Sequence, residues 1–197
     1  MPTEKSTTFE PKALILPREG TVVMVVDMQN DFVDKDGKLF VGDSRKIIPN
    51  IQRTLAKVRE TNVPVVYTQD WHGKDDPEFK VWPAHCVEKT VGAEIVQSLK
   101  PVSRDFIVRK KSYDPWFKTE LEELLKRLKI KTMVVTGTVS NICVLHAVAG
   151  ATLRGYESVV PMDCIAALND VDQEFAFRQI VFLYKGVLTT SELLSFQ

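Results

Sequence analysis

The sequence predicts an α/β fold: a single doubly wound domain of three layers, α/β/α, around a six-stranded parallel sheet. Three observations point to it. Short runs rich in Val and Ile recur along the chain, nearly continuous in apolar character, as parallel strands covered on both faces require. Longer stretches with helical spacing of apolar residues fill the gaps between them. The 197 residues, 44% of them hydrophobic, suffice for one domain with a sizeable core.

In chain order, residues 1–20 are expected to form an arm, packed on the surface or on a neighbouring subunit, and residues 21–197 the domain. Strands are expected at 21–26 (TVVMVV), 63–68 (VPVVYT), 105–109 (DFIVR), 132–136 (TMVVT), 157–161 (ESVVP) and 186–189 (GVLT). Ser44 can cap a helix reaching Glu60, with Ile47, Ile48, Ile51, Leu55 and Val58 on one face. A second helix is expected over 116–128, striped by Leu121, Leu124, Leu125 and Leu128. A third runs from 141 to 153 and stops at Gly155, and a fourth covers 171–184. Alternating strands and helices imply right-handed crossovers, with ligand sites at the carboxyl ends of the strands. The irregular, polar stretch 71–92 is too long for a plain connector and reads as functional.

Composition narrows the function. With 26 Lys+Arg against 26 Asp+Glu the chain carries no basic footprint, so nucleic acid is not an expected partner. No apolar run approaches the roughly 18–20 residues of a membrane span, so no membrane partner is expected. Within the first twenty residues only 13–16 (ALIL) is apolar, too short for a signal-peptide core. Three cysteines, Cys86, Cys143 and Cys164, do not make a disulfide framework and suit a reducing, cytoplasmic compartment.

Three predicted strand ends carry reactive groups. Asp27 follows the first strand and opens DMQNDF; Lys110 follows 105–109; Cys143 follows 132–136 and a short turn, at the start of the next helix. Together they make a carboxylate, a cation and a nucleophile. A helix N-terminus and a nearby cation both favour thiolate. On position alone Asp31 and Asp34 compete with Asp27, and Arg109 and Lys111 with Lys110. His146 shares a helix face with Cys143 and reads as a packed or surface histidine. A second constellation, Asp70, His72, Glu78 and His85, gathers two of the three histidines in one loop. Its oxygen and imidazole donors suit Zn, Fe or Mn.

These residues in this order resemble the isochorismatase-like cysteine hydrolases, and nicotinamidases in particular. VVDMQNDF resembles the motif of the catalytic Asp, TQDWH with WPAHCVEKTVGAE the metal loop, KKSYDPWFKTEL the Lys segment and TGTVSNICV the nucleophile motif. The resemblance spans about residues 21–190. It differs at Asn141, where the family more often has Asp, and at Lys89-Thr90, where it has Gly-Thr. It implies a triad of Asp27, Lys110 and Cys143, with Lys110 selected over Lys111 by its spacing to Trp116 and Thr119. One divalent metal, Zn first and Fe or Mn otherwise, would be held by Asp70, His72 and His85, with Glu78 as a fourth ligand. It also implies an oxyanion hole from the backbone N–H groups of Val139 and Cys143, a cis Thr138–Val139 peptide, and substrate contacts from Phe32 and Trp82. The implied activity is hydrolysis of nicotinamide to nicotinate and ammonia through a cysteine thioester, in NAD salvage. The alternative is another small amide, ureide or enol ether. A homo-oligomer is expected.

Overall fold

The structure is a computed structural model and describes residues 9–197. Nine strands appear: β1 (Leu14–Leu16), β2 (Thr21–Val26), β3 (Val65–Asp70), β4 (Phe106–Lys110), β5 (Thr132–Thr138), β6 (Glu157–Pro161), β7 (Ile165–Ala166), β8 (Val187–Thr189) and β9 (Leu194–Phe196). The main sheet has the order β4-β3-β2-β5-β6-β8, every pair parallel. These are the six predicted strands. The short β7 adds to the upper end of β5, pairing Gly137 with Ile165 and Thr138 with Ala166.

The helices are α1 (Asn30–Val33), α2 (Ile48–Thr61), α3 (Leu121–Arg127), α4 (Leu145–Leu153) and α5 (Asp170–Phe182). Alternate residues of the strands feed two cores, as a pleated strand must. Val23, Val25, Val65 and Tyr67 pack with Ile51, Leu55 and Val58 of α2. Val22, Met24, Val26 and Val66 pack with α3, α4 and α5 on the other face. Three layers result.

Two helices depart from expectation. Ser44 does not cap α2: its hydroxyl donates to Val41 O and Phe32 O, and the helix starts at Ile48 with Pro49 in its first turn. The helix expected over 116–128 shrinks to Leu121–Arg127. Lys118 lies at φ +55°, and Trp116 N–H donates to Asp114, so local bonds break the helical ladder before Leu121.

Of the arm expected over 1–20, residues 1–8 lie outside the described range. Leu14–Leu16 pairs in parallel with Leu194–Phe196, and Phe9 packs on Phe177 of α5.

Candidate active site

The carboxyl ends of β2, β3, β4 and β5 lie side by side, and the reactive groups stand there. β2 stops at Asp27, whose φ of +49° turns the chain sharply out of the strand. The Thr68 hydroxyl donates to Asp27 Oδ1 (2.6 Å), and Lys110 Nζ lies 2.7 Å from Oδ2. Register explains the meeting: β4 pairs with β3 so that Lys110 falls opposite Asp70, one strand from Asp27. Lys110 Nζ also donates to Asp70 Oδ1 (2.5 Å) and to Ser112 O (3.1 Å). A buried ammonium thus sits between two buried carboxylates. Burial opposes its charge, but Asp27 and Asp70 outweigh burial and hold its pKa well above the usual range.

The competing residues lie elsewhere. Arg109 stacks over the Trp71 ring at 4.0 Å, and Asp34 pairs with Arg45 in solvent. Asp31 ties the loop together, accepting the Cys86 N–H (2.7 Å) and the Lys38 N–H (3.2 Å). A Cβ at position 92 would sit 2.3 Å from the Asp31 carboxylate, so Gly92 is what lets that carboxylate in.

Cys143 lies in a π-turn, Ser140–Val144, immediately before α4. It is buried among Ile142, Val144 and the β-strand residues beneath. Burial pushes its thiol well above the usual range; Lys110 opposes this, while Asp27, its hydrogen-bond partner, adds to it. Desolvation acts against the thiolate that the helix end and the cation favour. The turn is closed by Ile142 N–H and Val144 N–H on Val139 O (3.0 and 3.2 Å). Those bonds use neither the N–H of Val139 nor that of Cys143. The Thr138–Val139 peptide is cis. His146 turns away: Nδ1 meets Ile142 O at 2.8 Å and the ring packs at a tilt against Tyr113.

Asp70, His72 and His85 present ligand atoms within 4.8 Å of one another, all three buried. Asp70 Oδ2 lies 3.9 Å from Nε2 of each histidine. The opposite ring nitrogens face polar groups: His85 Nδ1 meets Pro83 O at 2.8 Å, and His72 Nδ1 lies 3.2 Å from Asp76 Oδ2 without a hydrogen bond. That pattern aims both Nε2 atoms inward, as metal-binding histidines are aimed. Both ring nitrogens of His72 are buried with no hydrogen-bond partner, and a cation at Nε2 would satisfy one of them. Burial lowers the His85 pKa, with the Pro83 carbonyl opposing, the direction that favours a lone pair on the ring. Two nitrogens and a carboxylate suit a transition metal. Glu78 stands outside this close group. It is half-buried on the wall of the cavity, and burial raises its pKa.

One cavity of about 310 Å³ joins the two halves, lined among others by Phe32, Trp82, Asp70, Glu78, His85, Val139 and Cys143.

Three supporting residues, Gln29, Asp76 and Phe79, escaped the sequence reading, and Asp31 entered it only as a rival to Asp27. Gln29, fully buried, donates to Asp70 O (2.9 Å) and Ala93 O (2.8 Å) and accepts from Asp70 N–H (2.8 Å). Asp76 braces His72, Phe79 packs against both histidine rings, and Asp31 holds the Cys86 backbone. Gln29 lies in the polar run 29–31 (QND), where nothing in the sequence sets it apart.

A family model described as the isochorismatase domain matches residues 21–192. The chain is 29% identical over 170 residues to the uncharacterized isochorismatase family protein YaaI of Bacillus subtilis (strain 168), covering 86% of this chain and 93% of that one. It is 25% identical over 178 residues to nicotinamidase 3 of Arabidopsis thaliana, covering 87% and 85%. The crystal structure of N-carbamoylsarcosine amidase from Thermoplasma acidophilum superposes with a TM-score of 0.80 at 29% identity, covering 87% of this chain and 96% of that one. Since the family pattern takes in every strand of the main sheet and all five helices, this chain belongs to the isochorismatase family of hydrolases.

Proposed function

We propose that the protein is a cysteine amidohydrolase that converts nicotinamide to nicotinate and ammonia. The observation that carries this reading is the single small cavity shared by Cys143 and the Asp70–His85 pair, with Phe32 and Trp82 on its walls. Its volume lies at the small end of ligand sites. A pyridine ring fits between the aromatic side chains, and the amide faces the nucleophile.

Asp27 takes the Cys143 proton, and the sulfur attacks the amide carbonyl. The N–H groups of Val139 and Cys143 hold the oxyanion. Asp27 returns the proton to the leaving nitrogen, so ammonia departs and a thioester remains. Asp27 then deprotonates a water that attacks the thioester, and nicotinate leaves as the thiol is restored. Lys110 compensates the negative charge that moves between Asp27 and Cys143. Asp70, His72 and His85 would hold a divalent ion, Zn first and Fe or Mn otherwise, which supplies an anchoring point for the ring nitrogen. Glu78 stands by as an outer ligand. The reading puts the enzyme in the cytoplasm, in NAD salvage.

Lys38 on the cavity wall favours a second reading, a small amide or ureide bearing an acidic group. Ammonia release from nicotinamide, benzamide and an N-carbamoyl amino acid, each with and without chelator, decides. Nicotinamide alone should be turned over well, and the chelator should raise its KM. Full activity toward benzamide, or toward nicotinamide after metal removal, would sink the nicotinamidase reading.

A further inference from the structure

Helix α5 is apolar on two opposite faces. Ala176, Phe177 and Ile180 point into the core. On the far side Val171, Phe175, Arg178 and Phe182 follow one another at spacings of four, three and four, a single stripe turned away from the sheet. Val171 is 78% exposed, Phe175 47% and Phe182 67%. Leu168 and Leu183 extend the stripe beyond both helix ends. At its carboxyl end the Thr152 hydroxyl bonds Tyr184 O, which brings exposed Leu153 of α4 alongside. Soluble monomers rarely leave so continuous an apolar patch in water.

The charges flanking the stripe are sorted. Asp170, Asp172 and Glu174 lie toward its amino end; Arg178 and Lys185 lie toward its carboxyl end. None of these five makes a side-chain ion pair among the described residues. Arg178 and Lys185 instead hover over the Phe182 ring. Such a stripe is complementary to itself when a second copy lies across it antiparallel. Phe182 of each copy then meets Val171 of the other, and Arg178 meets Phe175 and Glu174. The acidic end faces the basic end, and the two helix dipoles oppose.

We infer that α5 is an isologous docking surface for a second copy of this chain. Specific interfaces bury roughly 800 Å² per partner, more than one helix supplies, so the ends marked by Leu168, Leu183 and Leu153 belong to the contact. The surface stands apart from the substrate question but not from the site. Gln173 of the same helix accepts the Ser140 hydroxyl (3.0 Å), which ties α5 to the turn carrying Cys143, and Leu168 lines the catalytic cavity.

Sedimentation equilibrium on the full chain tests the inference, with thermal melts as a control on folding. The wild type should be a dimer at about 10 µM. Phe175→Glu with Phe182→Glu should raise the dissociation constant about 100-fold while the melt keeps its cooperativity. Glu174→Arg and Arg178→Glu should each weaken the dimer about tenfold, and the two together should restore it. A monomeric wild type overturns the proposal, because some other molecule would then cover the stripe. A dimer indifferent to the α5 substitutions overturns it too, and failed rescue by the charge swap overturns the antiparallel arrangement.

Discussion

The two halves of the site are held in place by different physics. Asp27, Lys110 and Cys143 inherit their positions from the sheet: each follows or ends a strand whose neighbours are parallel and buried. The metal loop inherits little from the sheet beyond Asp70. Residues 71–92 are placed by individual polar contacts, from Gln29 to Asp70 and Ala93, from Asp31 to Cys86 and from Asp76 to His72. A bridge of His72 N–H to Cys86 O and Glu88 N–H to His72 O closes the loop on itself. A position set by sheet register is shared among many bonds. A position set by one side chain is lost with that side chain.

The largest effect expected from a single change lies on the sheet side and concerns chemistry alone. Cys143→Ala should lower kcat by about 10⁴-fold or more with the fold intact, because nothing else in the cavity can form the thioester. Circular dichroism and ammonia release read the two halves of that statement. On the loop side, His72→Ala and His85→Ala should each drop bound metal well below stoichiometric by elemental analysis. Both should raise KM more than they lower kcat.

Gln29→Ala separates the two regimes most sharply. It removes the side-chain partner of the buried Asp70 N–H and carbonyl, while Ala93 O keeps Gln69 Nε2 (2.8 Å), which costs about 1–3 kcal/mol in denaturant unfolding. Metal affinity should fall about 10–100-fold, since a supporting contact of a ligand is gone. If Gln29→Ala keeps its metal affinity and loses only stability, the loop is braced by something other than this side chain. Glu78→Ala should be milder, within about tenfold in metal affinity, because water replaces an outer carboxylate. The smallest effects belong to Cys86→Ala and Cys164→Ala. Cys86 and Cys164 are fully buried away from the catalytic cavity that Cys143 lines, so iodoacetamide should reach neither before Cys143.

The same division governs what could be read beforehand. Val and Ile runs located all six strands of the main sheet, and strand ends pointed to Asp27, Lys110 and Cys143. The ends of β3 and β4 lay further along than hydrophobicity indicates, because Gln69, Asp70 and Lys110 continue the ladder with polar side chains. β1, β7 and β9 were missed; at two or three residues each, none is long enough to show a period. Gln29 and Asp31 were illegible for another reason. Their partners lie 41 and 55 positions away, at backbone atoms that every residue possesses. No side-chain pattern marks a carbonyl as the one that will be bonded. The desolvation of Cys143 was likewise unreadable, since its burial is a property of the folded cavity.

The small pairing of Leu14–Leu16 with Leu194–Phe196 bears on how the molecule is made. Among the described residues, the first strand has the last for its partner. The leucines of β1 therefore stay apolar and uncommitted until residues 194–196 are at hand. The main sheet has no such delay for β2 and β3, which are close in sequence. Closure of this outer ribbon therefore joins more distant segments than any pairing in the main sheet and carries the larger loop-closure entropy.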